Sequence, residues 1–330
     1  MFAPVLVTGA NGFLGRHLVA ELRRRGQPVR ALLRPGTPAP FDAADTGISY
    51  HFADMTEVAQ VIGAAEGCAA IIHAAALASV NPARNPAVWT ANVTGTEAVL
   101  REARRAGVGR LVYVGTANVF GFGSKQNPGD EARPYAGRRY GLSYMDSKHT
   151  ATRLVLRAAN YQNMPAVLVH PTFMLGPNDA KPTSNALLLE LYHGRLPGYP
   201  PGGKNYVHVR DVATATVNAL TMGRVGESYI LGNENLSYRE AFARLAAVLG
   251  VPPPRWPIPP GLATLYGQLC DVKACLTGRP SPLNGAMAAV ANDGHYFNPA
   301  KARAELALPQ TSIDQAAAEA LAWFRTHDYV

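Results

Sequence analysis

The chain has 330 residues, 48% of them hydrophobic and only 16% charged, enough apolar material for one large core or two smaller ones and too little charge for a disordered chain. The formal net charge of +8 is scattered in short runs at Arg23–Arg25, Arg104–Arg105 and Arg138–Arg139. Such a field suits solvated helix ends or anionic ligands, and no zinc-finger, basic-zipper or aromatic RNA-binding pattern accompanies it, so no nucleic-acid partner is expected.

Three cysteines, Cys68, Cys270 and Cys275, build neither a disulfide framework nor a zinc site. A reducing, cytoplasmic setting and no bound metal are expected. The opening "MFAPVLVTGANGFLG" runs straight into a strand pattern without a basic leader. The longest apolar stretches, such as "AAIIHAAALASV", fall short of a membrane span, and no membrane partner is expected.

In chain order, "PVLVTGA" (4–10) reads as a buried strand. "FLGRHLVAELRRRG" (13–26) reads as a helix with Leu14, Leu18 and Leu22 on one face. "PVRALLR" (28–34) is a second strand, and a helix is expected over 56–66. "AAIIHAA" (69–75) is a strand, 86–106 a long helix, "RLVYVGT" (110–116) a strand, 142–160 a helix and "AVLVHPT" (166–172) a strand. This alternation predicts an α/β Rossmann fold: a doubly wound parallel sheet with helices on both faces. After residue 171 the loops become rich in Pro and Gly, as in "VPPPRWPIPPG" (251–261). The expected division is a dinucleotide-binding unit over 1–171, rejoined by 206–222, and a smaller, mostly helical substrate lobe over 172–330.

The chemistry starts at Gly9-Ala10-Asn11-Gly12-Phe13-Leu14-Gly15, a G-x-x-G-x-x-G turn between strand and helix. Glycines there permit a tight turn and close approach of a pyrophosphate, which meets the free N–H groups of the helix N-terminus. The second strand ends in Leu33 and Arg34 with no carboxylate. NAD sites use a carboxylate there to hold a ribose hydroxyl, whereas an arginine either suits the 2′-phosphate of NADP or simply points into solvent; NADP(H) is favoured over NAD(H). Asp54, followed by Met55, either accepts from an adenine amino group or caps the segment from Thr56. His73 is a packing and hydrogen-bonding residue, and Ala74, Ala75 and Ala76 let a cofactor come close to the backbone.

Thr116 falls at the carboxyl end of a strand, where such sheets bind ligands. Tyr144 and Lys148, four apart, share one helix face. A free tyrosine titrates near ~10, and a neighbouring ammonium lowers that value, so Lys148 is expected to prepare Tyr144 for proton transfer. Tyr140 is a packing or substrate-side residue.

The pieces "TGANGFLG", "ADMT", "HAAA", "NVTGT" (92–96), "VYVGTANVFG", "YMDSK", "HPTFMLGP" (170–177) and "YVHVRDVA", in that order, resemble the extended short-chain dehydrogenase/reductase family across nearly the whole chain. Within it the chain looks most like the dihydroflavonol reductase-like branch, which includes hopanoid-associated sugar epimerases. The resemblance implies a Thr116–Tyr144–Lys148 triad and a structural asparagine near the site at Asn92. It also implies a nicotinamide-lining segment at Pro171, Thr172 and Phe173, and a homodimer built on helices 86–106 and 142–160. Two positions depart from the sugar-nucleotide pattern: His170 and Lys204 stand where arginines are usual, and arginine is the better bidentate phosphate clamp. Ala117 and Asn118 replace the acidic pair of a dehydratase.

Candidate substrate-pocket residues are Ser79, Phe120, Phe122, Phe173, Met174, Leu188 and Tyr192, with Lys204; each is equally readable as ordinary core. The expected activity is an NADPH-dependent reduction of a small-molecule ketone or aldehyde. The alternatives are a sugar-nucleotide epimerase with tightly bound NAD and a cofactor-sensing protein without activity.

Overall fold

The computed structural model describes residues 3–277 and 284–330, the side chains of 274 and 275 excepted. Its first half builds strands β1 (Val5–Thr8), β2 (Val29–Leu33), β3 (Ile48–Phe52), β4 (Ala70–His73), β5 (Arg110–Val114) and β6 (Ala166–Pro171). Between them lie helices α1 (Phe13–Arg24), α2 (Val58–Val61), α3 (Pro86–Trp89), α4 (Gly95–Ala106) and α5 (Ser143–Tyr161).

The second half contains β7 (Phe173–Leu175), α6 (Ala186–Tyr192), β8 (Gly203–His208), α7 (Val209–Asn218), β9 (Ser228–Leu231), β10 (Glu234–Ser237) and α8 (Tyr238–Leu249). It continues with α9 (Pro260–Thr277), α10 (Gly285–Asn292), β11 (Gly294–His295), α11 (Ala300–Leu306) and α12 (Ile313–Thr326).

Seven strands form the main sheet in the order β3-β2-β1-β4-β5-β6-β9, with every pairing parallel. β1, β4, β6 and β9 are buried along their whole length, which is why they read as continuous apolar runs rather than alternating ones. On one face of the sheet Leu14, Leu18 and Leu22 of α1 join Val212 and Ala215 of α7 and Leu306 of α11 in a single core. On the other face Val99 and Ala103 of α4 and Val155 and Ala158 of α5 form a second. The order reverses direction beside β1, between β1 and β4, and the crevice above that point is where such sheets bind ligands.

The structure departs from the sequence expectations in three places. The helix expected over 56–66 is reduced to Val58–Val61, because Gly63 and Gly67 adopt left-handed φ values of 89° and 70°. The helix expected over 86–106 is interrupted by a wide π-type turn at Thr90–Thr94, which buries Asn92 and Val93. The sheet also extends past the expected boundary at 171: β9 pairs with β6 as its seventh strand, and α11 covers the same face as α7. The division at 171 is corrected accordingly, since an apolar strand of four residues carries too little periodicity to be recognised alone. The other lobe has its own sheet, with β10, β11 and β7 each paired to β8, and a core of α6, α8 and α12.

Candidate active site

The glycine turn shapes the first part of the site. Gly9 has φ +68°, and a Cβ there would lie 2.8 Å from the Ala75 backbone. A Cβ on Gly15 would lie 1.9 Å from the Gly9 carbonyl oxygen. The turn is thus packed against the end of β4 and against its own helix. α1 has Gly12 at its N-cap, with no side-chain cap and no acidic residue in its first turn, which leaves its N-terminal N–H groups and partial positive charge for a ligand. Asn11 and Gly12 are exposed and Phe13 is half-buried, while Leu14 and Gly15 are buried. This cradle fits the pyrophosphate of a dinucleotide.

A buried hydrogen-bond relay holds the strand end beside it. The Ala75 N–H donates to Thr8 Oγ1 at 3.1 Å, and Thr8 Oγ1 lies 2.8 Å from His73 Nδ1. His73 Nε2 lies 3.2 Å from Thr96 Oγ1, which donates to the Asn92 carbonyl at 2.6 Å. These distances fit a neutral ring that accepts from Thr8 and donates to Thr96. Burial pushes His73 down to about 3, which keeps the ring neutral and in the packing role expected for it. The relay fixes the backbone of Ala74 and Ala75; Ala76 is exposed beyond it.

After β3, Asp54 accepts from the Thr56 N–H at 2.9 Å and the Thr56 hydroxyl at 2.8 Å. Those bonds hold its carboxyl below the usual range and close a local turn, while α2 begins only at Val58 with Glu57 at its N-cap and no side-chain cap bond, so Asp54 does not cap a helix. Met55 packs over Gly95. Arg34 is exposed, its Nε 3.8 Å from Asp54 Oδ2.

β5, α5 and the turn after β5 bring Thr116, Tyr144 and Lys148 together. Thr116 hydrogen-bonds the Tyr144 hydroxyl and so opposes the upward push that burial exerts on that phenol. Lys148 Nζ donates to the Val114 carbonyl at 2.7 Å and sits 4.5 Å from the centre of the Tyr113 ring. Burial lowers the lysine to about 7. Here the expectation that Lys148 lowers Tyr144 is corrected: the phenol is raised. Tyr144 packs in an apolar cluster with Tyr140, Leu142, Met145 and Val290, and the lysine donates to a carbonyl in a setting that weakens its charge. Asn92 donates to Leu77 O and to Ser147 Oγ at 3.2 and 3.0 Å and accepts from the Leu77 N–H at 2.8 Å. It pins the residue before Lys148, so its contacts are structural.

The expected pocket residues separate into two groups. Phe122 packs with the Tyr144 cluster and stacks on His295 at 4.2 Å. Ser79 donates to the Asn81 carbonyl at 3.0 Å, next to Val80 of the same cluster. Phe173 lies 5.1 Å from Lys204 Nζ, and Lys204 pairs in register with His295. Burial lowers Lys204 to about 8. Thr172 donates to Asn205 Oδ1 at 2.8 Å, tying the end of β6, where Pro171 is buried, to β8.

Leu188 and Phe120 are buried core residues, which corrects their assignment, while Tyr192 and Met174 are half-buried and pack on the core, the alternative the sequence leaves open for them. Leu188 is 1% exposed in the core of the second lobe, with Tyr192 packed against it. Phe120 packs edge-on against His170 and joins Ile230 and Phe297. Met174 packs against the core under α1 and α7. His170 itself is buried and pushed down to about 3, so it supplies no cation where the sugar-nucleotide pattern has an arginine.

A network centred on His295 was not anticipated. Tyr140 donates to Asp293 at 2.5 Å, and Arg139 donates to the same carboxylate at 2.9 Å. His295 Nε2 lies 3.2 Å from Tyr140 Oη, and its Nδ1 lies 3.1 Å from Asn118 Oδ1. Asn118 in turn donates its N–H to Thr116 Oγ1 at 3.4 Å. Among the described residues no group of three or more acidic, Cys or His side chains is placed to hold a metal, and no helix is long and apolar enough to cross a membrane. Cys68 and Cys270 are buried and unpaired, and the Cys275 side chain lies outside the described residues.

Comparison with known proteins gives concordant findings. The model of the NAD dependent epimerase/dehydratase family matches residues 5–232. A putative dihydroflavonol 4-reductase of Synechocystis is 33% identical, over 98% of this chain and 95% of its own length. Sterol demethylase protein B of Methylococcus capsulatus is 30% identical, over 97% of this chain and 98% of its own. The crystal structure of gox2253 superposes with a TM-score of 0.86 at 30% identity, covering 99% of both chains.

Proposed function

The chain belongs to the NAD-dependent epimerase/dehydratase family of extended short-chain dehydrogenases/reductases, NAD(P)-dependent enzymes, and from that premise we propose that it is an NADPH-dependent reductase of ketones or aldehydes. The observation that carries this reading is the convergence of Thr116, Tyr144 and Lys148 beside an aromatic cluster of Phe122, Tyr140 and His295, with a neutral His170 where the sugar-nucleotide pattern has an arginine. A bound NADPH supplies the hydride. Tyr144 would give its proton to the oxygen of the reduced carbonyl, and Thr116 would orient that oxygen. An ordinary phenol, titrating near ~10, is protonated at neutral pH, the form a reduction needs, and burial pushes Tyr144 further in that direction. Lys148, held by the Val114 carbonyl, is the group for the hydroxyls of the nicotinamide ribose. Gly9, Gly12, Gly15 and the start of α1 hold the pyrophosphate, and Arg34 is the group for a 2′-phosphate.

One observation favours a second reading. Lys204 keeps a partly buried ammonium beside Phe173 and His295, and a phosphate of a nucleotide sugar suits it. On that reading the protein is an epimerase that retains NAD tightly. The two differ in what accompanies the purified protein and what it turns over. Exchangeable binding with preference for NADPH, and turnover of ketones or aldehydes, supports the reductase; retained NAD and turnover of nucleotide sugars overturns it. Under either reading Tyr144→Phe keeps dinucleotide affinity and loses about 10²- to 10⁴-fold in kcat, the range for one acid–base group. Normal turnover by that variant would remove Tyr144 from the mechanism.

A further inference from the structure

Helix α9 carries an apolar stripe that the protein leaves in water. Leu262, Leu265, Tyr266, Leu269, Val272 and Leu276 are each between 52% and 82% exposed, and steps of three and four residues put them on one face. The opposite side packs on α10: Gly267 is buried, with space for no Cβ beside Gly285 (2.8 Å), and Cys270 is buried too. Trp256, 74% exposed, stands just ahead of the helix. So large a contiguous apolar surface marks a binding face.

Its chemistry points to one occupant. Residues 255–277 contain three charged side chains: Arg255, Asp271 and Lys273. Asp271 accepts from the Gly285 N–H at 2.9 Å and serves the α9–α10 contact. Arg255 and Lys273 are exposed near the two ends of the stripe, and the whole chain is at +8. An exposed tryptophan, an unbroken leucine face and cations at its margins are what a helix lying in the surface of an anionic bilayer presents. Two copies packed face to face about a dyad would add no anion to balance those cations.

One helix separates this face from the candidate site. Ala286, Ala289 and Val290 of α10 lie in the same apolar cluster as Tyr144 and Phe122. Asn284, ahead of α10, donates to the Val80 carbonyl at 2.7 Å. α10 therefore stands between the exposed stripe and the Tyr144 cluster.

We propose that α9 docks this protein, flat and without spanning, on an anionic phospholipid surface, with α10 and the candidate site next to the bilayer. The sequence expectation of no membrane partner rested on the lack of a span, and a helix in the plane of the surface needs none. A corollary, which rests on the reductase reading, is that carbonyl compounds dissolved in the bilayer reach the site across α10.

The test is co-sedimentation of the full-length protein with vesicles of phosphatidylcholine alone and with one-quarter phosphatidylglycerol. The wild type pellets with the anionic vesicles, and high salt weakens this. Leu265→Glu/Leu269→Glu stays in solution, with its partition lowered more than about tenfold, while its thermal melt and dinucleotide affinity are unchanged. Arg255→Gln/Lys273→Gln lowers the partition about fivefold per charge. The proposal is overturned if the wild type ignores both vesicle types, or if the Leu265→Glu/Leu269→Glu variant sediments as well as the wild type. A change of oligomeric state in that variant, with no vesicle binding by the wild type, would instead make α9 a protein interface. None of these readouts depends on turnover, so failure here and failure of the reductase reading are separate results.

Discussion

Arg34 follows the end of β2, where the proposed preference for NADPH would be decided, and its present partner is weak. A 3.8 Å contact between an arginine side chain 74% exposed and Asp54 contributes little in water. Asp54 is already held by Thr56, so the guanidinium is free to turn to a phosphate, where a charge-assisted hydrogen bond contributes about 1.5–3 kcal/mol. Arg34→Ala should therefore weaken NADPH roughly 10- to 150-fold and leave NADH nearly unchanged in a fluorescence titration. Equal losses for the two would assign Arg34 to the solvent. At this scale, legibility followed distance along the chain. Tyr144 and Lys148 share a helix face, and their pattern is written within five residues. His295 meets Tyr140 across 155 positions and Asn118 across 177, and nothing local to "GHYFNP" marks that meeting. The direction of the Tyr144 shift was misread for a related reason. Its shift comes from burial by α10 and the turn before α5, which no spacing rule reports.

Among the elements, α1 was readable because its three leucines and its glycine turn obey one local geometry. The glycines also make a quantitative case. A Cβ at Gly15 would stand 1.9 Å from the Gly9 carbonyl oxygen, 2.8 Å from its carbon and 2.9 Å from the Ala10 carbonyl carbon. All are backbone atoms of the turn itself, so relief requires the turn to move. Gly261, in the first turn of α9, has open space around it. Gly15→Ala should lower stability by about 1–3 kcal/mol, as overpacking does, and should abolish tight dinucleotide binding. Gly261→Ala should be neutral or stabilising by up to about 1 kcal/mol. Chemical denaturation with a binding titration on both variants checks the pair, and a Gly15→Ala protein that binds normally would show that the cradle tolerates a methyl group. The break at Thr90–Thr94 was not readable in the same way. Its residues have no helix-breaking signature, and the turn is recognisable only from the tertiary bonds of Asn92 to Leu77 and Ser147.

For the molecule as a whole, the chain crosses between its two lobes too often for either to stand alone. α7 packs on α1 through Val212 and Ala215, α11 adds Ala302 and Leu306 to the same core, and β9 hydrogen-bonds along β6. Thr172 and Asn205 add a polar tie between the lobes. Cutting the chain at 171 would expose the buried edge of β6 and the apolar face of α1. Each Leu or Val returned to water costs about 1.5–3 kcal/mol, and three or four such losses match the 5–15 kcal/mol by which a domain is stable. The fragment 1–171 should therefore lack a cooperative melt and bind hydrophobic dyes. The full chain should unfold in one transition, with circular dichroism and tryptophan fluorescence coinciding. The tryptophans lie at 89, 256 and 323, on both sides of the cut, so separate unfolding of the lobes would split the two signals. A fragment that melts sharply on its own would mean that α7, β9 and α11 decorate the dinucleotide unit without completing it.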